Sequence, residues 1–102
     1  MSFPFLPVER ALAQLGGSLK TARRRRNIKT ELMAQRLGVS RKTLNRLEKG
    51  EAGVSIGTLA TAIYALDPEK LTAFSTLFAT DAIGQRVADR ALPQRIRRMP
   101  KL

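Results

Sequence analysis

Residues 32–50 read Leu-Met-Ala-Gln-Arg-Leu-Gly-Val-Ser-Arg-Lys-Thr-Leu-Asn-Arg-Leu-Glu-Lys-Gly. The stretch divides into two short helices around a glycine. The first spans residues 30–37 and turns Met33, Ala34 and Leu37 inward at helical spacing. Gly38 ends it, because a left-handed closing residue is least strained without a Cβ. Ser40 opens the second helix as its N-cap, with a hydroxyl suited to the unpaired amides of a first turn. Leu44 and Leu47 form the inner face of that helix. Arg41, Lys42, Asn45, Arg46 and Lys49 fall mostly on its other side, and Gly50 stops it. Ala34, four residues before Gly38, is small enough to let the two helices approach closely.

The flanking sequence supplies partners for those inner faces. Upstream, Val8, Leu12, Leu15, Leu19 and Ala22 draw one stripe along a helix. Gly16 and Gly17 lie inside it, each weakening it by about 1 kcal/mol relative to alanine, so the reading is one helix frayed or bent there. Pro4 and Pro7 mark residues 1–7 as an N-terminal arm. Arg23 to Arg26 place cations at the negative end of the helix. Downstream, Ser55 is the next N-cap, followed by Ile56, Leu59, Ala60, Ile63 and Leu66. Asp67-Pro68 joins a capping carboxylate to a proline at the first helical position. It starts a fifth helix carrying Leu71, Phe74, Leu77 and Phe78. Asp81 caps a last short helix to about Arg90, and Pro93 and Pro100 bracket a basic tail. Met33, Leu37, Leu44, Leu47, Leu59 and Ile63 are the expected core.

With 102 residues, 43% of them apolar, the chain supports one small core. It contains no Cys and no His. The common zinc sites, disulfides and neutral-pH acid–base groups are therefore missing, and the expectation is a non-enzyme without metal or cofactor. No apolar run approaches the roughly 20 residues of a membrane helix. The N-terminus lacks the basic and long apolar regions of a secretion signal, so no membrane partner and a cytoplasmic location are expected. The net charge of +11 is unevenly placed. Residues 20–49 hold 11 basic and 2 acidic side chains, residues 50–89 hold 2 and 5, and residues 90–102 hold 5 and none. A field focused on one motif attracts a polyanion; charge that serves solubility alone need not gather there.

Two short helices about a tight glycine turn, the second basic on its outer face, are the physical core of a helix-turn-helix. Residues 32–50 also resemble the signature of the Xre family of phage lambda repressor-like regulators. That pattern runs through an alanine, a Leu-Gly-Val-Ser turn and a Glu-basic-Gly ending, and the wider resemblance covers about residues 11–66. It implies an all-α fold: a five-helix lambda-repressor-like domain over residues 8–79, its helix-turn-helix at about 30–49. A short C-terminal helical extension and basic tail would occupy residues 80–102. The resemblance further implies a homodimer on double-stranded DNA, in a bacterial cytoplasm, with the third helix in the major groove. Carried over by position, Arg41, Lys42, Thr43, Asn45 and Arg46 face base edges, while Lys29, Thr30, Ser40, Lys49 and Ser55 face the DNA backbone. Arginine and lysine suit guanine O6 and N7, and asparagine suits adenine N6 and N7. Arg23 and Glu48 take the places of a structural ion pair. Two departures stand out. Lys29-Thr30 replaces the family's frequent Thr-Gln, which displaces the cap of the second helix to Asn27 or Thr30. Glu51 lies in a loop where some relatives carry cations, and it would repel phosphate.

A reader of two half-sites about 34 Å apart needs a self-association surface. Leu71, Phe74, Leu77 and Phe78 are the candidates for a dimer or partner interface, although closing a small core could equally use them. Residues 81–84 and 91–98 resemble the end of Xre-type regulators that accompany HipA-like kinase toxins. Three readings stay open. The chain is a transcriptional repressor that regulates its own operon and acts as a HipB-like antitoxin; or a stand-alone repressor without a toxin; or a helix-turn-helix module for protein interaction whose charge serves solubility.

Overall fold

Six helices make up the regular structure of residues 5–91, the part of the chain that the computed structural model describes. They are α1 (Leu6–Arg25), α2 (Thr30–Leu37), α3 (Arg41–Glu48), α4 (Ile56–Leu66), α5 (Pro68–Ser75) and α6 (Ala82–Ala91). The result is an all-α helix-turn-helix fold with a helical extension, as the sequence leads one to expect. Residues 1–4 of the expected arm, and the basic tail from residue 92 onward, lie outside the described residues.

Local chemistry sets most helix ends. Ser40 Oγ accepts from Thr43 N at 3.1 Å, and Ser55 Oγ accepts from Thr58 N at the same distance. Asp67 Oδ1 caps α5 through Glu69 N at 3.2 Å, with Pro68 in the first turn. Asp67 alone separates α4 from α5, so the chain turns a corner on one extended residue. Asp81 Oδ1 accepts from Gly84 N at 3.0 Å at the start of α6. α2 and α3 finish in the same pattern, a glycine at positive φ followed by a residue that reaches back five positions. Gly38 (φ 70) donates to Gln35 O and Val39 to Ala34 O. Gly50 (φ 78) donates to Leu47 O and Glu51 to Arg46 O.

α1 departs from expectation twice. It begins at Leu6, inside the expected arm, because a proline in the first turn forfeits no helical hydrogen bond. It also runs unbroken through Gly16 and Gly17. Gly16 is buried, and a Cβ there would lie 2.6 Å from Leu47 O and 2.7 Å from Glu48 O. The glycine is the point where α1 and the end of α3 pack backbone to backbone. A Cβ on Gly50 would meet the backbone of Leu12 and Ala13 from the opposite side.

Met33, Leu37, Leu44 and Leu47 are buried, joined by Leu19, Ala34 and Ala62. Leu59 and Ile63 are half-buried against this cluster. On α4, Ile56, the first helical residue, is 72% exposed, whereas Ala62, outside the expected core, is fully buried. Ile56 shares the spacing of Leu59 and Ile63 but stands at the first residue of the helix. The α1 stripe likewise sinks only at its C-terminal part, with Leu19 buried and Val8 and Leu15 exposed. α5 ends at Ser75, so Leu77 and Phe78 stand in the following turn rather than on the fifth helix. Leu71 and Phe74 are half-buried on α5, which packs against α4. None of the residues of α6 is buried. No described helix is long and apolar enough to cross a membrane.

Candidate nucleic-acid interface

α3 is amphipathic in the strict sense that its two sides meet different media. Leu44, Leu47 and Glu48 are buried, while Arg41, Lys42, Asn45 and Lys49 are exposed. Leu44, at 1% exposure, is among the largest fully buried side chains and fixes the depth at which α3 sits.

The orientation of α3 is fixed by charge as well. Arg23 of α1 donates from Nε to Glu48 Oε2 at 2.8 Å and from Nη2 to Glu48 Oε1 at 3.2 Å. Its Nη1 donates to Ile28 O at 2.7 Å in the α1–α2 connection. Both side chains are buried. A two-toothed contact of this kind allows little rotation. Such a pair sets geometry more than it adds net stability, since desolvating two charges offsets much of their attraction. The same arginine thus holds α3 and the entry to α2 in one frame.

An open groove runs along α3, lined by Thr30, Arg41, Lys42, Asn45, Arg46, Lys49 and Glu51. It gathers four of the five expected base-facing residues and two of the expected backbone-facing ones. Thr43 is set apart: it is half-buried, and its Oγ1 accepts from Ser40 Oγ at 3.1 Å. Ser40 and Ser55 are both engaged as caps, the latter also donating to Thr58 Oγ1 at 2.9 Å. Lys29 is exposed and itself occupies the N-cap position of α2, with no side-chain cap bond. The cap is therefore on neither Asn27 nor Thr30. Asn27 instead takes φ 55 in the α1–α2 turn, a conformation asparagine tolerates better than most residues, and Thr30 is already helical.

Two acids border the groove. Glu31 lies 3.8 Å from Arg41 with both side chains well exposed, a contact of little energetic weight. Glu51 is different, accepting from Arg46 Nε at 2.9 Å. Sequence reasoning placed Glu51 near phosphate as a repulsive group and gave no hint of this bond.

A model of the helix-turn-helix domain family matches residues 14–74, and the chain belongs to that family. The matched stretch starts just before the Gly16 contact, contains α2, α3 and α4, and ends within α5. The family is one of DNA-binding regulators, which agrees with the exposed basic side of α3. Neither a curated protein nor a solved structure matches the chain.

Proposed function

We propose that the chain is a sequence-specific transcriptional repressor that sets α3 into the major groove of an operator as a two-fold dimer. The observation that carries this reading is the division of α3: Leu44, Leu47 and Glu48 are locked inward while Arg41, Lys42 and Asn45 stand in solvent. Arginine and lysine present donors to guanine O6 and N7, and asparagine matches the donor–acceptor pair of adenine. Lys29, Lys49 and the first amides of α2 suit phosphate oxygens, which fix register without reading sequence. Thr30 has the same use, whereas Ser40 and Ser55 would first have to release the bonds they donate to Thr43 and Thr58.

Selection from a pool of duplexes with randomised centres tests this. The expected result is enrichment of a sequence with two symmetric half-sites about 34 Å apart. A pool that emerges without enrichment would overturn the reading.

The dimer is assigned to the exposed apolar side chains after α5, Leu77, Phe78, Ile83 and Val87, with Leu71 and Phe74 supporting them from α5. In the finer form of this reading, the protein represses its own operon as the antitoxin of a HipA-like kinase. Its support is the resemblance of residues 81–84 and 91–98 to such regulators, together with the exposed apolar side chains of α6. Co-expression with a kinase encoded beside it should then yield one complex. A stand-alone repressor would purify without the kinase. In that case, deleting residues 91–102 should weaken binding to all duplexes alike, with a shallower salt dependence.

A further inference from the structure

α2 and α3 end in the same hydrogen-bond pattern but use it differently. In this motif the residue after the glycine is brought beside the residue five positions earlier, and the pair is commonly apolar. At the end of α2 that pair is Val39 and Ala34. At the end of α3 it is Glu51 and Arg46, tied by Glu51 N donating to Arg46 O at 3.0 Å and by Arg46 Nε donating to Glu51 Oε1 at 2.9 Å. Gly53 completes the arrangement: a Cβ there would stand 2.8 Å from Arg46 Nη2. The guanidinium therefore rests between a carboxylate and a bare stretch of backbone, at the edge of the groove that Arg41, Lys42 and Asn45 line.

We propose that Glu51 is a positioning residue for DNA reading, holding the Arg46 guanidinium so that it meets a guanine edge end-on. Arginine has a planar fork of five N–H donors and can engage O6 and N7 through Nε with one Nη, or through both Nη atoms. Glu51 occupies Nε and leaves the end-on mode. Both partners are partly exposed, so the bond is too weak in water to matter for folding. Its effect is to limit the rotamers from which Arg46 approaches DNA, which a flexible side chain would otherwise have to give up on binding. The carboxylate, which by charge alone opposes phosphate, thereby gains a role in discrimination rather than affinity.

The inference rests on the DNA reading proposed above, and one experiment separates the two. The wild-type chain is first used to select duplexes from a randomised pool, and each position of the selected site is then varied in mobility-shift titrations. Failure of the wild type to prefer any sequence sinks the DNA reading itself. Given a preference, Arg46→Ala should lose about tenfold discrimination at one base pair of each half-site. Glu51→Ala should lose most of that discrimination at the same base pair, while its binding to unselected duplex stays level or rises. Gly53→Ala leaves every charge in place but pushes the guanidinium aside, and should reproduce the loss. The double variant Glu51→Ala with Arg46→Ala should discriminate no worse than Arg46→Ala alone. Glu51→Ala and Gly53→Ala keeping full discrimination, with Glu51→Ala gaining affinity equally for all duplexes, overturns the proposal and leaves Glu51 a mere repulsive charge.

Discussion

α3 and α6 invite comparison because they are built alike. Both are short, both start on a side-chain oxygen, from Ser40 and Asp81, and both set arginines against aliphatic side chains. Yet α3 buries Leu44 and Leu47, whereas α6 leaves Ile83 and Val87 70% and 58% exposed. The difference lies in what surrounds them. α3 meets α1 and α2, so its apolar side is consumed by the core and its polar side becomes a surface of fixed position. α6 has an amphipathic pattern of the same kind, yet none of its residues is buried among the described residues. An amphipathic helix thus states that a partner is needed, and the fold decides whether that partner is internal.

Four experiments can break or sharpen this contrast. Arg23→Ala should have the largest effect, destabilising by about 3–5 kcal/mol, because Glu48 would be left buried without its partner. Urea denaturation measures it, and a loss under about 1 kcal/mol would mean that charge does not anchor α3. Leu44→Ala comes next, at about 2–5 kcal/mol from lost burial and the remaining cavity, read from the same denaturation curves. Gly16→Ala should cost about 1–3 kcal/mol, since its methyl must displace backbone rather than a side-chain tip; Gly17→Ala, with open space around it, is the control and should be neutral or stabilising. The smallest effect belongs to α6. Ile83→Ser with Val87→Ser should change monomer stability by no more than about 0.5 kcal/mol per site while weakening self-association in sedimentation equilibrium. A loss as large as that of Leu44→Ala would place α6 against the core and erase the contrast.

The legible parts of this chain are those decided within a few residues. Ser40, Ser55, Asp67 and Gly38 act through hydrogen bonds to their own neighbourhoods, and the sequence places α2, α3 and α4 accordingly. The inner face of α3 was equally readable, because Leu44 and Leu47 share a helix with five polar or charged side chains on the far side. Less legible was the interface itself. Arg41, Lys42 and Asn45 could be named from spacing, but Thr43 turns partly inward to Ser40, and the Arg46–Glu51 bond depends on how the chain leaves α3. Ile56 shows the limit of periodicity, which gives an angle about the helix axis and says nothing of which turns along that axis are covered.

By itself the sequence determined that this chain is helical throughout its core, where most of its helices start, and which side of residues 41–49 turns to solvent. Those properties follow from capping, glycine stereochemistry and 3.6-residue spacing, all of them local. Tertiary structure alone decided that Gly16 is a contact and not a flaw, that the apolar side of α6 stays exposed among the described residues, and that Glu51 grips an arginine. Each of these depends on the distance between segments that the chain path brings together, and a distance in space has no counterpart in the pattern of residues along one helix.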